Sequence, residues 1–278
     1  MRLPSAPYAL GEGTLTEQER LIAQASSLEP HARWMLDRIA INSGSRAVDF
    51  GCGPIGIMNL LSERVGSDGV VIGIEREPRF AAMASVELKA RDLRNVQLVV
   101  GNALKTGLEK NSYDMVHERL VLINLPTTFQ HELLAEMVSL LKPGGTIALQ
   151  EFDSASYVCY PEHPSWNILL SLWNDTFHAN GGNEFIGRSL GHLLRSAGVE
   201  NIQMKVHVDV TQIGSYRRTQ LLALFESVQD LVIASGRITE VELRRHMSAV
   251  SEHLADPRTT LIDKLIVQAW GQKADLHT

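Results

Sequence analysis

The sequence predicts an α/β fold in which a mostly parallel sheet of seven strands carries helices on both faces. From Arg46 to Phe152, short apolar segments alternate with helical segments. Strands that are buried on both faces of a parallel sheet read as continuous apolar runs of this kind. The stretch AVDFGCGPIG, residues 47–56, places three glycines in G-x-G-x-x-G spacing directly after the first strand. Two later apolar segments bring the number of predicted strands to seven.

The composition limits the classes of function. Of the 278 residues, 44% are hydrophobic and 21% are charged, which is ordinary for a globular protein with a full core. The net charge of −6, without a run of Lys and Arg, argues against a nucleic-acid partner. No apolar run approaches the ~18 residues of a membrane span, and the first residues have no apolar signal-peptide core. Cys52 and Cys159 are far apart, so a reduced, cytoplasmic setting is expected.

The N-terminal residues 1–43 are expected to form an arm and a helical cap. Met1 to Gly13 is rich in Pro and Gly. Thr16 and Glu19 have the spacing of a capping box and predict the start of an amphipathic helix. Pro30 suits the first turn of a second helix that is expected to end near Ile41. Such an arm and helix pair is compatible with a homo-oligomer, and the sequence leaves the oligomeric state open.

Residues 44–153 are expected to form the ligand-binding core. The predicted strands are Arg46–Phe50, Val70–Glu75, Val96–Asn102, Tyr113–Glu118 and Thr146–Phe152. The predicted helices are Ile57–Val65, Arg79–Ala90 and Phe129–Leu141. The segment KPGG, residues 142–145, predicts a tight turn before the fifth strand, because Pro fixes φ at one central position and Gly accepts a positive φ at the next.

The pattern changes after Phe152. Residues 154–187 are rich in aromatic residues, His and Pro, and we expect them to form a helical lid over a substrate. Ligands of open α/β sheets bind beyond the carboxyl ends of the strands, where this segment begins. Residues 188–278 are expected to complete the core and add a helical insertion. The predicted elements are helices Ser165–His178, Arg188–Ala197, Tyr216–Ala234 and Thr239–Leu254, and strands Ile202–Val210 and Leu265–Trp270.

The glycine turn predicts a nucleoside-type cofactor. A sharp turn between strand and helix exposes backbone N–H groups, and glycines allow a ligand to approach them. Asp49 ends the first strand, where a carboxylate is unfavourable beside a pyrophosphate but acceptable beside an ammonium or a sulfonium. Glu75 ends the second strand, a position from which an acidic residue accepts both hydroxyls of a ribose. Together they indicate an adenosyl cofactor or NAD, and they argue against NADP.

Five segments together resemble class I S-adenosylmethionine-dependent methyltransferases. They are VDFGCGPIG, VVIGIE, VVGNA, YDMVHERLVLINLP and LLKPGGTIALQEFD, spread over roughly residues 45–155. The resemblance implies a Rossmann-like sheet, S-adenosylmethionine (SAM) as cofactor and S-adenosylhomocysteine (SAH) as product. The stretch from His163 to Leu190 more loosely resembles the bacterial branch that modifies small molecules, often specialised metabolites.

The resemblance also implies roles for residues at the methionine end of the cofactor. Backbone groups of Gly51, Cys52 and Gly53 would line it, and Asp49 would face its ammonium group. The alternative for Asp49 is a role in capping the following helix.

The adenosine end involves a second set of residues. Glu75 would bind the ribose and Arg76 would pack beside the adenine, whose edge would meet Asn102 and Ala103. The family commonly has Asp at position 102. An Asn can also accept a hydrogen bond through its carbonyl oxygen, and its alternative role is that of a turn residue.

The acceptor end depends on the least recognisable part of the chain. Glu118 and Arg119 would face the methionine end of the cofactor and the reacting methyl group, unless they form a structural ion pair. His178, Glu151 and His163 are candidates for a general base, which a hydroxyl acceptor would need. Trp166 and Trp173 are expected in the core, with a substrate wall as the alternative, and Tyr8 of the arm is a candidate cover for the site.

The predicted function is methyl transfer from SAM to a small, apolar or aromatic acceptor by in-line displacement, for which placement of the acceptor is the main requirement. No metal-binding cluster is predicted. The sequence leaves O-, N- and C-methylation open. A scaffold or regulator that binds SAM or SAH without methyl transfer is the alternative, and the glycine spacing taken alone would also permit a nicotinamide oxidoreductase.

Overall fold

The computed structural model describes residues 15–274, with side chains from residue 19 onward. Its strands are β1 (Arg46–Phe50), β2 (Val70–Glu75), β3 (Val96–Val100), β4 (Tyr113–Arg119), β5 (Leu141–Asp153), β6 (Val158–Tyr160), β7 (Val199–His207), β8 (Thr260–Ile262) and β9 (Leu265–Lys273). Its helices are α1 (Leu15–Leu36), α2 (Met58–Val65), α3 (Pro78–Ala90), α4 (Thr127–Leu140), α5 (Pro164–Ala179), α6 (Leu190–Ser196), α7 (Tyr216–Ala234) and α8 (Glu240–Ala255).

Seven strands form one sheet in the order β3-β2-β1-β4-β5-β9-β7. The first five of these pair in parallel, and β9 pairs antiparallel with both β5 and β7. The predicted seven-stranded, mostly parallel α/β fold is therefore confirmed. The direction of strand order reverses between β1 and β4, and such a switch point opens a crevice beyond the carboxyl ends of the strands.

Both faces of the sheet are buried, which explains the continuous apolar strands. Along β5, Ile147 and Leu149 belong to one hydrophobic layer, whereas Ala148 between them belongs to the other. Alternation of side chains across a strand requires this arrangement. One layer contains residues of α4 to α8, and the other contains residues of α2 and α3 and of the second half of α1.

The N-terminal region differs from the prediction, because one helix replaces the expected two. Helix α1 continues through Pro30 and ends at Leu36, so the predicted second helix ending near Ile41 is wrong. A proline inside a helix removes one hydrogen bond and costs about 3 kcal/mol. Burial of Leu28 and Met35 offsets this cost, at about 1.5–3 kcal/mol for each large apolar side chain. The predicted arm, Tyr8 and the Thr16 capping box lie outside the described residues or side chains.

The KPGG segment is part of strand β5 rather than a turn before it. The pairing of β4 with β5 jumps from Tyr113↔Leu141 to Met115↔Thr146, so the extra residues bulge out of the strand. Gly144 has a φ of +73°, which is the positive φ that the motif predicts. A short antiparallel pair, β6 with β8, was not predicted. Within residues 15–274, no helix has the length and apolar character needed to cross a membrane.

Candidate active site

A cavity of about 370 Å³ lies at the carboxyl edge of the sheet. One end is formed by the glycine turn after β1 and by the ends of β2 and β4. The other end is closed by residues of α1, α5 and α7 and by the loops after β5 and β8. A cavity of this volume falls in the range of small-molecule sites. Two compartments are thus joined in one cavity.

The three glycines of the turn serve different purposes. All have positive φ values, +63° at Gly51, +55° at Gly53 and +53° at Gly56. A Cβ on Gly51 would lie 2.5 Å from Val121, and one on Gly56 would lie 2.2 Å from Oδ2 of Asp49. A Cβ on Gly53, in contrast, would have no neighbour within 4 Å. Gly51 and Gly56 are therefore required by the packing of the turn, and Gly53 leaves its backbone open to the cavity.

Asp49 lines the cavity, and both of its oxygens bind the protein. Oδ2 accepts a hydrogen bond from the N–H of Ile57 at 3.0 Å, immediately before α2. Oδ1 accepts one from Nδ1 of His117 at 2.8 Å. This geometry favours the alternative role, in which Asp49 orders the turn.

Glu75 fastens the end of β2 to the same turn. Its Oε2 accepts from the N–H of Gly53 at 2.8 Å, and its Oε1 accepts from the N–H of Glu77 at 2.8 Å. Burial raises the pKa of the Glu75 carboxyl, while the backbone N–H groups act in the opposite direction. The neighbouring Arg76 pairs with Glu77 at 3.5 Å. Glu75 and Arg76 both line the cavity, as the sequence predicts.

Asn102 and Ala103 also line the cavity. The Oδ1 atom of Asn102 accepts a hydrogen bond from the N–H of Leu104 at 2.9 Å. The carbonyl oxygen on which the predicted adenine contact depends is therefore used within the loop, as expected for a turn residue. Cys52 is a buried filler beside the cavity, and burial raises the pKa of its thiol.

Arg119 connects the end of β4 to the glycine turn. Its Nη2 donates to the carbonyl oxygen of Gly56 at 3.1 Å, and its Nη1 is buried without a hydrogen-bond partner. Burial lowers the pKa of the guanidinium. Arg119 also lines the cavity.

Glu118 pairs with another carboxyl group, Glu151, rather than with Arg119. Glu118 Oε2 accepts from the N–H of Val121 at 3.0 Å, and Glu151 Oε1 accepts from that of Ile123 at 3.1 Å. The remaining oxygen of each is buried and receives no other donor. Burial raises the pKa of Glu118 to about 7 and that of Glu151 well above its usual value. A proton on one carboxyl would satisfy both groups, and the other oxygen of each holds backbone N–H groups of residues 121–123.

The structure does not bring the predicted general bases to the cavity. Glu151 lies beneath the loop that it anchors and does not line the cavity. His163 starts α5, where its Nδ1 accepts from the N–H of Ser165 at 3.2 Å. His178 is exposed at the last turn of that helix. None of the three side chains lines the cavity, so the structure gives no support to a general base among them, and the assignment stays a prediction.

The closed end of the cavity contains residues that sequence reasoning missed. Phe152, Trp173 and Phe177 form an aromatic wall, in which the rings of Trp173 and Phe177 stack at 5.2 Å. The substrate-wall alternative thus fits Trp173, while Trp166 is buried in the core against Tyr157.

Four polar side chains also line the cavity: Arg20, Glu184, Gln220 and Lys264. All four are at most 5% exposed. Of these four residues, only Lys264 has a signal in the sequence that could have drawn attention to it, because it is a charged residue directly before the apolar strand LIVQAW.

The fold and the cavity define an α/β enzyme with a cofactor compartment joined to a second ligand compartment. A family model described as a methyltransferase domain matches residues 41–198, more than half of the chain. The protein therefore belongs to the methyltransferase-domain family. The predicted class, a SAM-dependent class I methyltransferase, is confirmed.

Known proteins similar to the chain agree with this family. Demethylmenaquinone methyltransferase of Bacillus mycoides is 27% identical over 199 residues, which cover 64% of this chain and 81% of that protein. Phosphoethanolamine N-methyltransferase 2 of Haemonchus contortus, solved with SAM, has a TM-score of 0.50 at 16% identity and covers 95% of this chain. The match spans only 54% of that longer protein. The YcgJ protein of Bacillus subtilis has a TM-score of 0.55 at 15% identity, with 88% and 99% coverage. These two structures show likeness of fold.

Proposed function

We propose that this enzyme transfers the methyl group of SAM to a small, largely apolar acceptor that contains a ring. The observation that carries the proposal is the continuity of the cavity from the glycine turn to the aromatic wall of Phe152, Trp173 and Phe177. Flat aromatic walls favour ring-shaped ligands, since rings stack in offset or edge-to-face contact.

The residues at the turn fit the cofactor. The open space at Gly53 suits close approach of the methionine part, and the unpartnered Nη1 of Arg119 suits a carboxylate. Glu75 is held at the end of β2, where its remaining lone pairs suit ribose hydroxyls. Ala103 and Leu104 would flank the adenine. When bound, SAM supplies a methyl group on a sulfonium, whose sulfur leaves as a neutral thioether.

The protein's own contribution to the reaction is placement and exclusion of water. In-line displacement needs the acceptor atom opposite the leaving sulfur, and fixed placement can supply ~7–11 kcal/mol of the barrier. Ile123, Leu125 and Phe129 also line the cavity, and we assign them to holding the acceptor against the methyl group. The relatives named for demethylmenaquinone, a ring-containing quinone, support an acceptor of this shape.

Formation of SAH in the presence of a panel of acceptors tests the proposal. The panel should contain 1-naphthol, 1-naphthylamine and 1,4-naphthohydroquinone, with phosphoethanolamine as a small polar amine without a ring. We expect turnover with ring compounds and a loss of about tenfold or more in kcat/KM for Trp173→Ala, because apolar contact is removed. Trp166→Phe, a conservative change at a core residue outside the cavity, is the control.

Turnover restricted to phosphoethanolamine would refute the ring acceptor. Tight SAH binding without turnover on any acceptor would favour the scaffold alternative.

A further inference from the structure

We infer that Lys264 and Glu184 form a recognition pair for a ring hydroxyl of the acceptor, in which the Lys264 ammonium donates to the hydroxyl oxygen and the Glu184 carboxylate accepts its hydrogen. This inference rests on the proposed function and narrows the acceptor to a hydroxylated ring, such as a phenol or a naphthol. Neither residue was predicted from the sequence.

Lys264 carries a buried charge that the protein leaves available. The side chain is 5% exposed, and its Nζ lies 5.3 Å from the ring centre of Phe152 and 4.9 Å from that of Tyr157. Within the described residues, the ammonium forms no ion pair. The adjacent Asp263 is occupied, because its carboxylate binds Arg217 and the backbone N–H of Lys264. A buried ammonium that lies against ring faces without an ion pair lacks the hydrogen bonds that normally compensate burial of a charge.

Glu184 supplies the complementary acceptor. It is 4% exposed, and its Oε1 is buried without a hydrogen-bond partner. Its backbone is fixed, since the carbonyl oxygen of Glu184 accepts from the N–H of Ser154 at 2.9 Å. Gln220, which also lines the cavity, has a buried Oε1 without a partner as well. Two unused acceptors and one unused cationic donor therefore line the closed end of the cavity.

A hydroxyl group matches this set of atoms better than an ether oxygen or an unsubstituted ring position. It has one hydrogen to donate and lone pairs to accept, so it can bind a carboxylate and an ammonium at the same time. A methyl ether has no hydrogen for Glu184, and an unsubstituted ring satisfies neither residue. Buried polar groups that lose their partners discriminate strongly between ligands of equal shape.

The protonation of the two residues is consistent with this role. Burial raises the pKa of Glu184 to about 7, and burial lowers the pKa of Lys264 to about 8. Near neutral pH, a carboxylate and an ammonium can therefore coexist at the closed end of the cavity. Other charges that act on Lys264 are those of Asp263, Arg217 and Arg20.

Binding of two matched probes to the full-length, SAH-saturated protein tests the pair without requiring turnover. The probes are 1-naphthol and its methyl ether, 1-methoxynaphthalene, titrated by calorimetry. We expect the wild-type protein to prefer 1-naphthol by about tenfold or more, the scale of a charged hydrogen bond left unmade. Lys264→Met keeps the apolar stem against Phe152 and Tyr157, and Glu184→Met keeps similar bulk. Each is expected to abolish most of this preference.

Three further variants make the test specific. Glu184→Gln retains an oxygen acceptor and should retain part of the preference. The double variant K264M/E184M should lose little more than either single variant, because both residues bind one hydroxyl. Lys273→Met removes a partly buried lysine at the opposite end of β9 and should leave the preference unchanged. SAH affinity should stay within about twofold of wild type in every variant, as a check on folding.

The outcomes separate this inference from the proposed function. Equal affinity of wild type for 1-naphthol and its ether overturns the recognition pair and leaves the apolar acceptor compartment standing. An unchanged preference in both K264M and E184M, with normal SAH affinity, also overturns the pair. Failure of wild type to bind either ring compound overturns the proposed acceptor class and the pair together.

Discussion

The two ends of the cavity differ in how their side-chain oxygens are satisfied. At the cofactor end, the carboxylates of Asp49 and Glu75 bind backbone N–H groups of the chain itself. At the acceptor end, buried oxygens of Glu184 and Gln220 have no hydrogen-bond partner. Unsatisfied buried groups cost about 1–3 kcal/mol each. The cofactor end is thus organised before any ligand binds, whereas the acceptor end is completed by its ligand.

The difference follows from how each end is assembled. The glycine turn, the end of β2 and the end of β4 are neighbours in one sheet, so short-range geometry fixes them. The acceptor end brings together Arg20, Glu184, Gln220 and Lys264 from four separate segments. The side chains on these separate segments could be changed to suit a new acceptor while the cofactor end stayed unchanged.

Adding a methyl group at Gly56 is expected to disrupt the preorganised cofactor end more than any other change. Gly56→Ala would press a Cβ against Asp49 at 2.2 Å and against the Cys52 carbonyl oxygen at 2.8 Å. We expect a loss of SAH affinity of about 100-fold or more, or loss of the fold, because rigid groups collide. Calorimetric SAH binding, together with thermal unfolding, measures both.

Gly107→Ala is the matched control. Gly107 has a φ of +72° and no neighbour within 4 Å of the added Cβ. The Gly107→Ala variant introduces only the backbone strain of a positive φ, which costs about 1–2 kcal/mol of stability. This variant should bind SAH normally. Normal SAH binding by Gly56→Ala would contradict the packing role of that glycine.

The contrast between the two ends also explains which features of the fold and the site could be predicted from the sequence. The bounds of β1 and β2 match the predicted strands, and those of α7 match the predicted helix, because local apolar patterns determine them. Pro30 was misread as a helix start, because tertiary burial of Leu28 and Met35 overrides a local signal. Glu184 and Lys264 carry no local motif, and only the folded chain brings them together. The placement of Glu151, His163 and His178 outside the cavity also depends on tertiary packing, which their residue types and sequence positions do not reveal.

A second test asks whether Arg119 contacts the ligand or only supports the turn. Arg119→Met removes the unpartnered Nη1 together with the bond to Gly56. We expect SAH affinity to fall about 10- to 100-fold, the range for a charged hydrogen bond. Affinity for 5′-methylthioadenosine, which lacks the amino-acid carboxylate, should change less than about threefold. An equal loss for both ligands would instead assign Arg119 to the turn. Exposed Arg94→Met is the control.

A third test measures how binding at the acceptor end depends on pH. The carboxylate of Glu184 is present above a pH of about 7, and the ammonium of Lys264 is present below about 8. Binding of 1-naphthol should therefore be strongest between these values and weaken by up to about tenfold on either side. Asp175 also acts on Glu184, and Asp263, Arg217 and Arg20 act on Lys264. Calorimetry from pH 5.5 to 9 in wild type and Lys264→Met measures the effect.

The variant should lose the decline at high pH and most of the decline at low pH, because both residues bind one hydroxyl. A profile that is the same in both proteins would remove Lys264 from acceptor binding.

The smallest expected effect concerns the carboxyl pair beneath the cavity. The folded pKa of Glu118 is raised to about 7, so the folded protein binds a proton more tightly than the unfolded chain. Its contribution to the free energy of unfolding is complete below the ordinary pKa of about 4.5 and is lost as the pH rises through about 7. Wild type should therefore be less stable toward urea at pH 8 than at pH 5, through this pair.

Glu118→Gln replaces the titrating group by an amide that can still donate to Glu151. The variant should flatten the decline in stability between pH 5 and pH 8, measured by urea unfolding at both values. Glu200→Gln, an exposed change on β7, should keep the wild-type slope. Because the pair fixes residues 121–123, an unflattened slope would mean that another group titrates and that these two carboxyls share no proton in the folded protein.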